Sequence, residues 1–278
     1  MPLKPLKPGS RVKLTDGNAI DDREPRGDDA RAQMAPLLER LVTLQAALYA
    51  ESKRALLVVL QGRDASGKDG LTRTVFGPLN SQGCVVSNFK RPTDYELARD
   101  YLYRVHHLVP PKGTIGIFNR SHYEDVLVVR VHALVPKDVW SKRYEQINQF
   151  EKMLTENSVS VLKFMLHISK DEQQQRLIDR IHDPLKNWKF QAGDLEERER
   201  WGDYTEAYED ALERTSTEWA PWYVVPADRK RTRDLLVARV VVDTLERMAP
   251  AFPKVDARVL EIAKQWEREI GHRPKKDK

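Results

Sequence analysis

The chain has 278 residues, 40% hydrophobic and 32% charged, which is enough apolar material for one sizeable core beneath a highly charged surface. Its longest apolar runs, "ALLVVL" and "VLVVRV", are far too short to cross a bilayer, and the opening "MPLKPLKPGSRVKL" lacks the apolar stretch of a secretory signal, so no membrane partner is expected. The lone cysteine, Cys84, excludes an internal disulfide and fits a reducing cytoplasm, while the net charge of +5 leaves room for a polyanionic partner, although such a balance more often serves none.

Residues 1–28 are rich in proline, glycine and charge and read as an irregular N-terminal arm. Over the following segment Leu37, Leu38, Leu41, Leu44 and Leu48 recur at helical spacing, which predicts an amphipathic helix over 29–50. "RALLVVLQ" is then apolar without alternation, as a strand buried on both faces should be. It runs into "GRDASGK", the pattern G-x-x-x-x-G-K from Gly62 to Lys68. In such a loop the backbone N–H groups of Gly62, Arg63, Ala65, Ser66, Gly67, Lys68 and Asp69 turn toward phosphate oxygens, and Lys68 reaches the outer phosphates. The plainer alternative is a glycine-rich structural turn. The buried strand before the loop and the helical "DGLTRTVF" after it favour the phosphate site. The hydroxyl residue that usually holds magnesium is replaced by Asp69. Magnesium takes oxygen ligands, so Asp64 within the loop can restore the lost ligand, and Asp69 suits a helix cap.

"CVVSNF" is a second strand, with Cys84 as a small core residue. "TDYELARDYLYRVHHLV" follows as one helix with Leu97, Tyr101, Val105 and Leu108 on a face and Thr93 with Glu96 as a capping box. Lys90, Arg91, Arg99, Arg104 and Lys112 alternate here with Tyr95, Tyr101 and Tyr103, a mixture that also suits single-stranded nucleic acid. Tyr101 falls on the apolar face, however, and a bare phosphate chain needs cations without stacking. "GTIGIFN" is the third strand. Just past its end stand Asn119, Arg120, Glu124 and Asp125, at the sheet edge where ligands of open α/β sheets bind. Arg120 is suited to grip a phosphoryl group, and Glu124 or Asp125 to hold metal or orient an acceptor; simple charge stabilisation of a helix start is the competing explanation.

"PKDVWSKRYEQINQFEKML" reads as one helix and "SVLKFMLHI" as the fourth strand. In "SKDEQQQRLIDRI", capped by Ser169, Arg176 and Arg180 share a helix face. With Lys186, Lys189 and Arg198 they can converge on a polyanion, although each alone is more simply a solvated charge. Residues 183–219 interrupt the rhythm with a polar, aromatic-studded insertion whose position suits a lid. "WYVVPA" and "DRKRTRDLLVARVVVDTLERM" close the alternation. The histidines show no metal-ligand spacing, and residues 251–278, ending "HRPKKDK", form a basic tail. Strand–helix alternation from about 55 to 250 predicts one α/β domain with a mostly parallel sheet.

Taken together, "LQGRDASGKDG", "RPTDYELARDYLYRVH", "IFNRSHYEDVLVVRV", "FMLHISKDEQQQRL", "WKFQAGDLEER" and "STEWAPWYVVPADRK", in this order over residues 30–250, closely resemble the polyphosphate kinase 2 family of P-loop kinases. The resemblance implies the α/β fold of a P-loop kinase over residues 29–250, a parallel sheet sandwiched by helices with an inserted helical lid, and reversible phosphoryl transfer between inorganic polyphosphate and a nucleotide, with magnesium and manganese as its substitute. It puts Asp64 and Lys68 in the first motif, Arg120 in the second, Glu124 and Asp125 near metal and acceptor, Arg130 close by, and Arg176 and Arg180 among phosphate-gripping lid arginines, with Lys189 in the lid. Asp64, Glu124 and Asp125 are the implied metal ligands. The group it looks most like accepts AMP and ADP, with guanine nucleotides as further substrates, and family habit implies a homo-oligomer, dimer or tetramer. Two rivals are carried forward. An ATP-dependent kinase of a nucleoside monophosphate or small metabolite would ignore polyphosphate; a polyanion-binding module with a decayed loop would bind in a salt-dependent way without turnover.

Overall fold

In the computed structural model, residues 3–191 and 193–270 are described. The run Ala55–Gln61, apolar up to its last residue, forms β1, and every one of its positions is buried. It lies at the centre of a five-stranded, wholly parallel sheet of order β2-β3-β1-β4-β5, in which β2 is Cys84–Asn88, β3 Ile115–Asn119, β4 Val159–His167 and β5 Trp222–Pro226. Successive side chains of β1 supply opposite faces. Leu56, Val58 and Leu60 join a core with α1 (Gly27–Glu51) and, at the other end of the chain, the long helix Lys230–Met248, whereas Ala55, Leu57 and Val59 face the other layer.

The remaining helices follow in chain order: α2 (Lys68–Leu71), α3 (Asp94–Leu97), α4 (Tyr103–His106), α5 (Val128–Val131), α6 (Lys137–Trp140), α7 (Arg143–Glu156), α8 (Lys170–His182), α9 (Gly193–Glu199), α10 (Trp201–Thr215), α11 (Lys230–Met248) and α12 (Ala257–Ile270). α2 passes directly into a π-helical turn at Thr72–Phe76. None of the helices among the described residues is long and apolar enough to cross a membrane.

Several expected elements are divided or reassigned. The single helix expected at 93–109 is two short ones. The Thr93–Glu96 capping box is present, but Asp100 accepts from the backbone N–H of Leu102 at 3.0 Å and breaks the run, leaving Leu97 and Leu108 exposed. The helix expected from Pro136 likewise divides into α6 and α7. The insertion at 183–219 is not uniform: its first half is exposed, but α10 buries Tyr204, Ala207, Tyr208, Ala211 and Leu212 and is a core helix. The N-terminal arm is irregular yet packed, with the Leu6 N–H donating to the Trp222 carbonyl at 2.8 Å along the β5 edge and Leu14 and Ala19 buried. Past residue 250 the chain forms α12, whose side chains are exposed; the last basic residues, 271–278, lie outside the described part. Cys84 opens β2 half-buried, and burial pushes its thiol up to about 11.

Candidate active site

The strand order puts the C-terminal ends of β1 and β3 side by side, and the segments that leave them, 62–67 and 120–125, meet there. Gly67 has φ +99°, a left-handed conformation that suits glycine, and a side-chain carbon there would lie 1.8 Å from Arg233 Nη1. At Gly62, φ +149°, a side-chain carbon would come within 2.7 Å of the Leu166 carbonyl. The loop is therefore tight against the sheet and the last core helix.

Lys68 folds back over this loop, its Nζ donating to the Gly62 carbonyl at 2.6 Å and the Arg63 carbonyl at 3.2 Å. Burial, reinforced by the Arg120 charge, pulls its amine down to about 8, against the attraction of Asp64, Glu124 and Asp69. Arg120 adopts a left-handed backbone, φ +62°, and its Nη2 donates to Asp64 Oδ1 at 2.7 Å. Burial opposes the guanidinium charge, but Glu124 and Asp64 outweigh it and hold Arg120 firmly protonated. Burial raises the Glu124 carboxyl, and Arg120, Lys68 and a hydrogen bond from Gln61 restrain the rise. Asp64, Lys68, Arg120 and Glu124 thus form one charge cluster.

The turn that carries Arg120 and Glu124 stands on a buried polar network. Lys163 donates to Glu151 at 2.6 Å, to the Tyr123 hydroxyl at 2.8 Å and to the Thr215 carbonyl at 2.7 Å, while Tyr123 donates to Glu151 at 2.9 Å and His122 pairs with the same carboxylate at 3.2 Å. Every charge in it has a partner, which is how charged groups persist in a core.

Asp125 points elsewhere. It accepts from Arg143 at 2.8 Å, and its carboxyl is pushed up to about 6 by burial, against Arg143 and Arg104. Its ion pair with Arg143 sets it apart from the Arg120–Asp64 pair, although the neighbouring Glu124 charge adds to the rise of its carboxyl. Arg130 is also apart, ion-paired with Glu206 and Asp210 and stacked on Trp140. Asp69 accepts from Asn119 Nδ2 at 2.8 Å and lies 3.5 Å from Lys189; these partners hold its carboxyl below the usual range although burial works the other way. Asn119 also donates to Asn88 at 2.9 Å, so Asp69 joins the loop helix to two strands and the insertion.

Arg63 turns away from the loop mouth: its guanidinium sits 3.8 Å over the Trp201 ring and donates to the Trp201 carbonyl at 3.1 Å and to Thr205 Oγ1, and burial lowers it to about 10. Ala65 takes φ +60°, and the buried Ser66 hydroxyl oxygen has no hydrogen-bond partner among the described residues. Arg180 lies 3.8 Å from Asp194 of α9, whose carboxyl is raised by burial and by the Asp64 charge. Asp194 therefore faces the cluster, and composition alone does not mark it. Gln173, which donates to the Asp64 carbonyl at 3.0 Å, and Arg233 were likewise missed. For Arg233 the signal was present: residues 233, 236, 237 and 240 share a helical face that is otherwise apolar.

Among the described residues no three or more His, Cys, Asp or Glu side chains gather as a ready metal cage. Asp64 and Glu124 together offer carboxylate oxygens, the donor type a hard divalent cation takes when phosphates and water complete its shell.

A phosphate loop after the central strand of a parallel sheet, with its lysine and an arginine from the adjoining strand, defines a P-loop phosphotransferase of the kinase type. A sequence profile of polyphosphate kinase 2 (PPK2) matches residues 25–253, and the chain belongs to that family. It is 56% identical over 221 residues to a Meiothermus ruber protein named AMP/ADP-polyphosphate phosphotransferase, covering 80% of this chain and 83% of the relative. It is 47% identical over 229 residues to an ADP-polyphosphate phosphotransferase of Rhodopseudomonas palustris, covering 78% and 79%. Among solved structures, polyphosphate kinase 2 from Arthrobacter aurescens TC1 superposes with a TM-score of 0.83 at 40% identity, over 94% of this chain and 99% of that one. The family transfers phosphoryl groups between polyphosphate and nucleotides, and this chain is a phosphotransferase of that class.

Proposed function

We propose that this chain catalyses reversible, magnesium-dependent phosphoryl transfer between inorganic polyphosphate and adenine nucleotides, using both AMP and ADP, with guanine nucleotides as further substrates. The observation that carries the reading is the Asp64–Lys68–Arg120–Glu124 cluster at the phosphate loop. The dual acceptor is supported by the 56% identity to a relative named for AMP and ADP.

The loop N–H groups and Lys68 bind the terminal phosphates of the chain. Arg120, kept charged by its acidic neighbours, grips the phosphoryl group in transfer, and Arg180 reaches the same mouth from α8. A magnesium ion, or manganese in its place, held by Asp64 and Glu124 would neutralise the charge between the two phosphate groups. The nucleotide's terminal phosphate oxygen attacks in line, and the protein contributes position and charge compensation with little covalent work. Asp125, paired with Arg143, serves the mouth by fixing the turn that carries Glu124. Assembly as a dimer or tetramer is supported by the exposed Val259, Leu260 and Trp266 of α12, and light scattering measures it. The cytoplasm is the compartment that a lone, half-buried thiol fits.

Lys68→Ala and Arg120→Ala test the assignment. Each is expected to lower turnover by roughly 10³-fold or more while the circular dichroism spectrum is unchanged. Folded variants that keep wild-type turnover would overturn it.

A further inference from the structure

The phosphate loop is held from behind by two buried arginines that lie far from it in sequence. Arg176, reaching from α8, donates Nη1 to the carbonyls of Ala65 at 3.0 Å and Ser66 at 3.2 Å, and Nη2 to those of Ala227 at 2.8 Å and Asp228 at 2.7 Å. Its Nε is taken by Glu172 at 2.7 Å, so the whole guanidinium is engaged by protein oxygens. Arg233, from α11, donates Nη1 to the Ser66 carbonyl at 2.9 Å, and its Nε and Nη2 are both gripped by Asp234 Oδ1 at 2.8 and 2.6 Å. Burial works against the Arg233 charge, and Asp234 retains it. Arg233 is 2% exposed, so it is out of reach of a phosphate chain in solvent.

In a planar trans peptide the carbonyl of one residue and the N–H of the next point in opposite directions. Two guanidinium groups on the Ser66 carbonyl therefore aim the Gly67 N–H away from them. They also bind a carbonyl oxygen that would otherwise be free to swing toward phosphate and repel it. The fit is reciprocal: any side chain at position 67 would collide with Arg233 Nη1, so the second loop glycine leaves room for the arginine as well as allowing the turn.

We infer that Arg233, oriented by Asp234 and acting with Arg176, is a positioning residue for phosphoryl transfer: it fixes the peptide between Ser66 and Gly67 so that the loop N–H faces the transferring phosphate. The inference rests on the phosphate-loop reading of residues 62–68. It also takes Arg176, which sequence grouped with phosphate-gripping arginines, as a support behind the loop.

The test compares wild type with Arg233→Met, Arg233→Lys and Asp234→Asn. Inorganic pyrophosphate binding is followed by calorimetry and steady-state turnover is followed with polyphosphate and ADP. Arg233→Met is expected to weaken pyrophosphate binding about tenfold and to lower kcat on the order of 10²-fold, the cost of misplacing one oxyanion donor. The KM for ADP stays within about twofold, since the acceptor does not meet this peptide. Arg233→Lys, with one donor still able to reach the Ser66 carbonyl, recovers a large part of the loss, and Asp234→Asn, which keeps the guanidinium but loosens it, falls between. A merely structural role would lower thermal stability and leave kcat and pyrophosphate affinity per folded molecule unchanged; that result in a folded Arg233→Met overturns the inference. If Arg233→Met does not fold, Arg233→Lys and Asp234→Asn decide by the same readouts. Wild type that fails to bind pyrophosphate would overturn the loop reading and the inference together, whereas equal binding and turnover by wild type and a folded Arg233→Met would overturn the inference alone.

Discussion

Lys68 carries a charge that its own fold disfavours. Burial brings its amine from the usual lysine value to about 8, so the unfolded chain holds that proton over a pH range in which the free folded protein has released it. The sign follows: the Lys68 contribution to unliganded stability rises as pH goes from about 8 toward 10.5, while the ability to bind phosphate falls. Pyrophosphate affinity is expected to drop about tenfold between pH 7 and pH 9, following the protonated fraction of a group titrating near 8. Calorimetry at several pH values measures it, and affinity that is flat to pH 9 would contradict the assignment. The buried network gives a second prediction at this scale. Lys163→Met leaves Glu151 without its cation and should cost roughly 3–5 kcal/mol in urea unfolding, while Lys163→Met combined with Glu151→Leu should recover much of that. A single variant that costs nothing would show that the network does not hold the turn. The loop residues were legible in sequence because a strand, two glycines and a lysine at fixed spacing have few other uses. The residues around it were harder to read: Asp194 looks like a surface charge until the fold brings it to the loop, and the apolar face that carries Arg233 marks it as buried without showing what it meets.

At the scale of elements, the strands were readable almost to the residue, since parallel strands buried on both faces are largely apolar runs, interrupted in β4 by Lys163. Helices were harder. An apolar face at 97, 101, 105 and 108 predicts one helix, but Asp100 offers its side chain to the Leu102 N–H, and Arg99 stacks 3.6 Å over Tyr95 and 4.9 Å over Tyr103 instead. The local competition of a short acidic side chain outweighs the periodicity. The insertion shows the opposite failure, since its polar average concealed the apolar stripe that makes α10 part of the core. Tyr208→Ala on α10 should therefore cost roughly 3–5 kcal/mol, as buried aromatics do, whereas Leu195→Ala on the exposed α9 should stay within about 0.5 kcal/mol. Urea denaturation separates the two; equal losses would mean that α9 is packed as tightly as α10.

Across the whole molecule, the sheet order decides what meets. The order β2-β3-β1-β4-β5 sets the phosphate loop beside the end of β3, so Lys68 and Arg120, 52 positions apart by their numbers, share one charge cluster. Sequence gives the strands and their parallel sense but not this order, which emerges from how the crossover helices pack on each face. α12 stands outside that packing, with Val259, Ile262, Trp266 and Ile270 all exposed. Ending the chain after Phe252 should leave the thermal midpoint of the monomeric domain within about 2 °C, because removal of exposed side chains seldom moves stability by more than a few tenths of a kcal/mol. A larger fall in a calorimetric scan would mean that the helix is docked on the domain.

The central claim is that this phosphate loop works on an inorganic phosphate chain and a nucleotide together. The most direct measurement gives purified protein polyphosphate, magnesium and ADP or AMP as the only nucleotide, and follows the more highly phosphorylated nucleotides formed. ATP appearing from ADP, and ADP and ATP from AMP, with Lys68→Ala inactive, is the predicted result. A folded protein that makes neither from polyphosphate, yet phosphorylates an acceptor when ATP is supplied, would contradict it.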